Sequence, residues 1–137
     1  MVLGKLSLVM LFTYAGLVKL LDVEVFQQQL YQSPVIMKEG VPIVSYALPI
    51  YELLLAAVLI SDRFRTTALA LSFFTMLFFT LYLIGLVSFA ARVPCSCGGI
   101  LGHMSYPVHI AFNAVFTLIS LYLLFQKKAG PPANAQR

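Results

Sequence analysis

Long apolar stretches, rather than an alternation of apolar and polar residues, dominate this chain. Four of them can be read from the sequence, at about residues 2–21, 42–60, 66–91 and 106–125. A helix needs roughly 20 apolar residues to cross the hydrocarbon core of a bilayer. The stretches are too long and too uniformly apolar for the strands of a membrane barrel, in which apolar and polar residues alternate. The pattern therefore predicts an all-α protein, a bundle of four transmembrane helices.

Polar residues mark the ends of these stretches and one interior position. Lys5 and Lys19 lie near the two ends of the first stretch, where long side chains can reach the lipid headgroups. The second stretch carries Pro49 and Glu52 inside it, whereas the third carries no charge. We expect the first stretch to be a membrane anchor rather than a cleaved secretory signal, because no small-residue cleavage site closes it.

Two segments outside the stretches have patterns of their own. Val23, Phe26 and Leu30 recur at helical spacing among glutamines, which predicts a short amphipathic helix on the outer surface after the first span. A solvated loop is the alternative for this segment. Residues 127–137 contain glycine and two prolines and are expected to form a disordered cytoplasmic tail. The sequence thus predicts one membrane domain at 1–126, followed by the tail.

Composition supports a lipid environment. Hydrophobic residues make up 61% of the 137 residues and charged residues only 10%, a balance that excludes an ordinary soluble domain. The net charge of +4 is not gathered into a basic patch with interleaved aromatic residues, so we expect no nucleic-acid partner. The partner that the composition predicts is the lipid bilayer.

The distribution of basic residues predicts the orientation. With both termini in the cytoplasm, the inner side collects Lys5, Arg63, Arg65, Lys127, Lys128 and Arg137, and the outer side keeps Lys19, Lys38 and Arg92. Basic residues in short loops favour the cytoplasmic side. We therefore expect both termini inside a bacterial inner membrane. The segment 92–105, which holds both cysteines, is then expected on the periplasmic face.

The sharpest chemical feature is the segment Pro94-Cys95-Ser96-Cys97-Gly98-Gly99. Two cysteines separated by one residue have Cα atoms at most about 7 Å apart, so a turn brings them into disulfide range. The ring is small, so the bond should be strained and more easily reduced than a structural crosslink. It closes almost no loop and adds little stability. These properties favour a redox role for Cys95 and Cys97.

Two other interpretations of the cysteine pair stay open. The pair could bind a soft metal such as Cu(I), with His103 and Met104 as further ligands. It could also be a plain disulfide or two unreactive thiols in a tight turn. Zinc is disfavoured, because a closed site needs four ligands and the nearby sequence supplies few.

Glu52 is the second candidate for chemistry, since an ionisable group near the bilayer centre costs roughly 2.5 to 3.5 kcal/mol. It should face the interior of the bundle with Lys19 as its expected partner, and Tyr14, Tyr51 and His109 are alternative donors. It either handles protons or fixes helix packing.

The roles of the remaining polar residues follow from their positions in the fourth span. Asn113 is expected to connect helices, and His109 to be buried and hydrogen-bonded. We assign Cys95, Cys97 and Glu52 as candidate catalytic residues, Lys19 and Asn113 as candidate cofactor-binding residues, and no resident metal site.

The order of these features resembles the MauE/DoxX group of redox-associated membrane proteins, which are four-helix bundles. The residues that carry the resemblance are Ala15-Gly16-Leu17-Val18-Lys19-Leu20, Asp22, Phe26, Pro49, Glu52-Leu53-Leu54, the cysteine segment 94–99 and Asn113. They cover nearly the whole chain up to about Phe125.

The resemblance implies periplasmic thiol chemistry beside a thioredoxin-like partner, which helps another exported protein form or rearrange its disulfides. A looser likeness to the DsbB and vitamin K epoxide reductase bundles suggests a membrane quinone as electron acceptor. Those proteins carry four cysteines and this chain has two, so a two-step internal relay is not available here. A non-enzymatic carrier of Cu(I) or of a small molecule, and a structural membrane subunit, are the alternatives to a thiol–disulfide oxidoreductase.

Overall fold

The computed structural model of the protein describes residues 2–34, 36–89 and 106–129. They form helices α1 (Val2–Leu21), α2 (Val23–Tyr31), α3 (Val41–Ile60), α4 (Arg65–Phe89) and α5 (Tyr106–Ala129), and a 3₁₀ turn at Lys38–Gly40 precedes α3. No strand occurs in these ranges. The all-α prediction is confirmed.

Four of the helices, α1, α3, α4 and α5, are long and apolar enough to cross a membrane. Large apolar side chains on their outer faces, such as Leu3, Phe74 and Leu118, are more than half exposed. Only lipid solvates such a surface favourably. The four predicted spans are therefore confirmed.

The C-terminal boundary of the fourth span differs from the prediction. Helix α5 continues through Ala129, so residues 127–129 are helical rather than the start of a disordered tail. Glutamine, lysine and alanine are good helix formers, so the sequence after Phe125 is compatible with a longer helix. The rest of the predicted tail, 130–137, lies outside the described residues.

The bundle is built from two closely packed pairs of helices. Helix α1 packs along α3 and α4 packs along α5, with fewer contacts between the two pairs. A Cβ on Gly16 of α1 would lie 2.9 Å from Leu53 Cγ and 3.0 Å from the Pro49 carbonyl oxygen of α3. The missing side chain at Gly16 thus lets the two backbones approach each other.

Small hydroxyl side chains are buried in α4 and α5. Each donates to the carbonyl four residues earlier in its own helix: Ser72, Thr75, Thr80, Thr117 and Ser120. These bonds satisfy the hydroxyl groups within one helix. They suit the close packing of α4 on α5.

An apolar core joins the helices near the start of α1 and the end of α3. Its buried members are Leu8, Phe12, Leu55, Ala56, Leu59, Ala68, Leu69, Met76 and Leu123. At the same end, Lys5 Nζ donates to Asp62 at 2.9 Å and to the Ile60 carbonyl at 3.3 Å. The start of α1 and the α3–α4 turn therefore lie together.

The short helix after the first span is confirmed as α2, and the loop alternative is wrong for residues 23–31. Phe26 and Leu30 on its apolar face are buried and cluster with Val41 at the start of α3. Gln27 Nε2 donates to Ser45 Oγ at 3.0 Å, and after the helix ends Tyr82 of α4 donates to Ser33 at 2.8 Å. The helix thus belongs to the packed bundle and links α1 to α3 and α4.

Candidate functional site

A buried ion pair joins α1 to α3. Lys19 Nζ donates to Glu52 Oε1 at 2.6 Å, and the two side chains are 7% and 1% exposed. Lys19 follows Gly16 by three residues and Glu52 follows Pro49 by three, so the close approach at Gly16 brings the two charges together. The predicted pairing is confirmed. The expectation that Lys19 reaches the headgroups is wrong, because its ammonium turns inward to this carboxylate.

Two aromatic rings complete the surroundings of the lysine ammonium. Lys19 Nζ lies 5.7 Å from the centroid of the Phe26 ring in α2 and 5.2 Å from that of the Phe79 ring in α4. The faces of aromatic rings attract cations, and the attraction strengthens where water is excluded. Lys19 is therefore held by α2, α3 and α4 together.

Helix α5 adds His109 and Asn113, which share one face because they are four residues apart. Both are buried, as predicted for His109, which is 2% exposed. Its Nδ1 has no hydrogen-bond partner among the described residues, and neither has Glu52 Oε2. The alternative donor Tyr51 instead pairs with Thr75 at 2.8 Å. Buried polar atoms are rarely left unpaired, so these two atoms indicate a place for a ligand or water.

These polar groups line a cavity of about 370 Å³ inside the bundle. Its walls come from α1, α2, α3, α4 and α5 and are otherwise mostly apolar: Leu11, Phe12, Ala15, Phe26, Leu30, Ile36, Val44, Leu48, Met76, Phe78, Phe79, Tyr82, Leu83 and Phe112. The space lies between the α1/α3 pair and the α4/α5 pair. A concave, mostly apolar chamber with a few convergent polar groups is typical of a small-molecule site.

The site contains residues whose importance the sequence analysis missed. The aromatic lining and the cavity itself were not predicted, and His109 was expected to be a structural residue or an alternative donor to Glu52 rather than part of a ligand site. The spacing of His109 and Asn113 on one face of α5 was the available signal for a shared site. Of the five candidate site residues, the structure brings Lys19, Glu52 and Asn113 to one cavity.

Comparison with known proteins places the chain in a family. The sequence model described as methylamine utilisation protein MauE matches residues 1–126. The chain belongs to the MauE family. No curated protein and no solved structure matches it. The match covers the four membrane helices, α2 and the cysteine segment, so the MauE part of the resemblance is confirmed.

The cysteine segment of this MauE protein falls outside the described residues, as do Arg92, His103 and Met104. Helix α5 begins at Tyr106, nine residues after Cys97, and His109 lies in its first turn. In sequence, the cysteine segment thus precedes the end of α5 that contributes His109 to the cavity. Among the residues that the structure does describe, no group of three or more His, Cys, Asp or Glu side chains is placed to hold a metal ion.

Proposed function

We propose that this MauE protein is a membrane-embedded thiol–disulfide redox protein. It exchanges disulfides through Cys95 and Cys97 with a thioredoxin-like partner on the periplasmic face of a bacterial inner membrane. The family's description as a methylamine utilisation protein points to the exported proteins of that process, methylamine dehydrogenase among them, as those whose maturation it supports. The observation that carries the proposal is a Cys-x-Cys pair in a chain that has no other cysteine.

The chemistry is a two-electron exchange of one disulfide for another. A thiolate of one protein attacks the disulfide of the other, and the displaced sulfur leaves as a thiolate, so that a mixed disulfide joins the two chains. The second thiolate of the attacking pair then attacks the mixed disulfide. One protein ends as the disulfide and the other as the dithiol. Because the small Cys95–Cys97 ring is expected to be strained, its disulfide should be a good oxidant of a partner dithiol.

The partner-facing sulfur is assigned to Cys97. Gly98 and Gly99 follow it without side chains, so backbone N–H groups can approach and stabilise its thiolate. Pro94 precedes Cys95 and has no N–H to donate. When Cys97 attacks a partner disulfide, Cys95 is then the resolving thiol, and when a partner thiolate attacks Cys97 of the intramolecular disulfide, Cys95 is the thiolate that leaves.

The buried polar groups of the bundle have a supporting role in this proposal. Glu52 has one carboxylate oxygen engaged by Lys19 and a second without a described partner, which leaves it able to accept or deliver a proton. Lys19 holds that carboxylate in place, and Lys19 and Asn113 are the proposed contacts for a bound substrate or cofactor. Their shared cavity supports these assignments.

Trapping the mixed disulfide tests the proposal. Cys95→Ser and Cys97→Ser are expressed separately, cells are quenched with acid, and the proteins are separated by non-reducing electrophoresis. Cys95→Ser cannot form the Cys95–Cys97 disulfide, so its Cys97 thiolate reacts by attacking a partner disulfide, and no Cys95 thiol remains to release the partner. We therefore expect a reductant-sensitive adduct with a thioredoxin-like protein in Cys95→Ser. An adduct in Cys97→Ser alone would exchange the roles of the two sulfurs.

The trapping experiment, combined with a measurement of Cu(I) binding, distinguishes disulfide exchange from metal transport. If neither variant traps a partner, and the reduced wild-type protein binds Cu(I) tightly, the disulfide-exchange function is contradicted and a metal carrier takes its place. The matched control is the double variant Cys95→Ser/Cys97→Ser, which should trap no adduct and bind no Cu(I) through this segment.

A further inference from the structure

We infer that the cavity between the helix pairs binds a neutral, lipid-soluble molecule with a hydroxylated aromatic ring, whose hydroxyl group donates to Glu52 Oε2. This inference goes beyond disulfide exchange and concerns the described bundle alone. It rests on a carboxylate oxygen that no described residue pairs with, a balanced pair of charges and an aromatic lining.

Glu52 supplies the acceptor. Lys19 occupies Oε1, whereas Oε2 is buried and has no partner in the part of the chain that the structure describes. A buried carboxylate oxygen without a hydrogen bond costs free energy that a donor restores. A hydroxyl group supplies that donor, and its oxygen can receive a hydrogen bond from His109 or Asn113, which line the same space.

The charges of the site select a neutral ligand. Lys19 and Glu52 cancel each other, and the rest of the described lining contains no other Asp, Glu, Lys or Arg side chain. A ligand with a net charge would place an uncompensated charge in a mostly apolar interior, which is costly away from water. A carboxylate or an ammonium ligand is therefore disfavoured against an alcohol or a phenol.

The lining selects a ring and provides a route from lipid. Aromatic rings line the cavity, among them Phe12, Phe26, Phe79 and Phe112. Aromatic rings stabilise one another when they pack edge to face or offset, so this lining favours a ligand that carries a ring. Phe78 lines the cavity and is also 64% exposed on the outer face of α4. The cavity thus reaches the lipid-facing surface, and its volume suits a ring with a short alkyl chain.

Calorimetric titration of the protein in lipid nanodiscs, with empty nanodiscs subtracted, tests the inference. The probe is 4-hexylphenol, and its matched controls are hexylbenzene, which lacks the hydroxyl, and 4-hexylbenzoate, which is charged. We expect saturable binding of one 4-hexylphenol per chain and at least tenfold weaker binding of both controls. Equal binding of hexylbenzene would overturn the role of Glu52, and equal binding of 4-hexylbenzoate would overturn the selection for neutral ligands.

Two variants test whether 4-hexylphenol binds in the cavity. Ala15 lines the cavity, so Ala15→Phe should fill it and abolish binding, whereas Ala57→Phe on the exposed face of α3 should leave binding unchanged. Binding to Ala15→Phe that equals wild type would show that the cavity is not the site. Because Cys95→Ser/Cys97→Ser should bind 4-hexylphenol like wild type, failure of this inference is distinguishable from failure of the disulfide-exchange proposal.

Discussion

Lys19 and Glu52 each neutralise a charge that the bundle would otherwise bury alone. Removing one partner of a buried ion pair typically costs about 3–5 kcal/mol, whereas replacing both by neutral groups is often far less costly. We predict that Lys19→Met and Glu52→Gln each lower the free energy of unfolding in detergent by that amount. The double variant should recover most of the loss.

A second ion pair in the same chain provides the control. Lys5 and Asp62 lie 2.9 Å apart, but the Asp62 side chain is 83% exposed. Because solvent screens such a pair, Asp62→Asn should change the unfolding free energy by at most about 1 kcal/mol. If the losses of the two single variants at the buried pair simply add in the double variant, the coupling between Lys19 and Glu52 is refuted.

Proton handling by Glu52 predicts a separate loss of activity. Glu52→Gln keeps the shape of the side chain but cannot carry a negative charge, so disulfide exchange with the trapped partner should slow more than the folded fraction falls. The folded Lys19→Met/Glu52→Gln variant is the critical sample. If it exchanges disulfides at the wild-type rate, the pair serves only to fix helix packing.

The pairing of Lys19 with Glu52 could be predicted from the sequence, because an ionisable residue inside an apolar span needs a partner and few were available. That Glu52 Oε2 and His109 Nδ1 lack a hydrogen-bond partner among the described residues could not be predicted. It depends on the rotation of α5 relative to α1 and α3, which is set by packing across the bundle and not by any local pattern.

At the scale of helices, the close contact of α1 with α3 depends on Gly16. A methyl group there would lie closer to the Leu53 side chain and to the Pro49 carbonyl oxygen than van der Waals contact allows. Overpacking of this kind typically costs about 1–3 kcal/mol. We predict that Gly16→Ala lowers the thermal unfolding temperature and weakens the Lys19–Glu52 contact.

Gly85 in α4 provides the matched control, since no atom of the described residues would lie within 4 Å of a Cβ there. Gly85→Ala should be neutral or slightly stabilising, because alanine is the better helix former. Equal effects of the two alanine substitutions on the unfolding temperature would show that Gly16 is not needed for close helix approach.

The membrane helices were predictable because their lengths match the bilayer, and the start of α1 and the start of α5 were predicted correctly. For α2, the sequence predicted the helix but not what its apolar face packs against. Its helical spacing was visible, but whether Phe26 and Leu30 face lipid or protein depends on where α3 begins. The cavity arises from how two helix pairs meet, so no single stretch of sequence contains it.

For the whole molecule, the predicted orientation follows from four spans, the number found among the described residues. The contact of Lys5 with Asp62 puts the start of α1 and the α3–α4 turn at the same end of the bundle. Because Lys5, Arg63 and Arg65 lie in these segments, the predicted orientation places this end of the bundle in the cytoplasm.

Labelling of intact cells tests that orientation. After mild reduction, a membrane-impermeant maleimide should modify Cys95 and Cys97 without any breach of the inner membrane. Modification only after permeabilisation would reverse the orientation and remove the oxidising compartment that the redox function needs. The control is the double variant Cys95→Ser/Cys97→Ser, which should stay unlabelled.

The central claim, that Cys95 and Cys97 cycle between dithiol and disulfide, is tested most directly by their redox state in living cells. Cells are quenched with acid, free thiols are alkylated with a maleimide of large mass, and the protein is resolved by electrophoresis. We predict that both the unmodified disulfide and the doubly modified dithiol are present, and that a pulse of reductant and its removal shift the balance reversibly. A single form that neither reductant nor its removal changes would contradict the account.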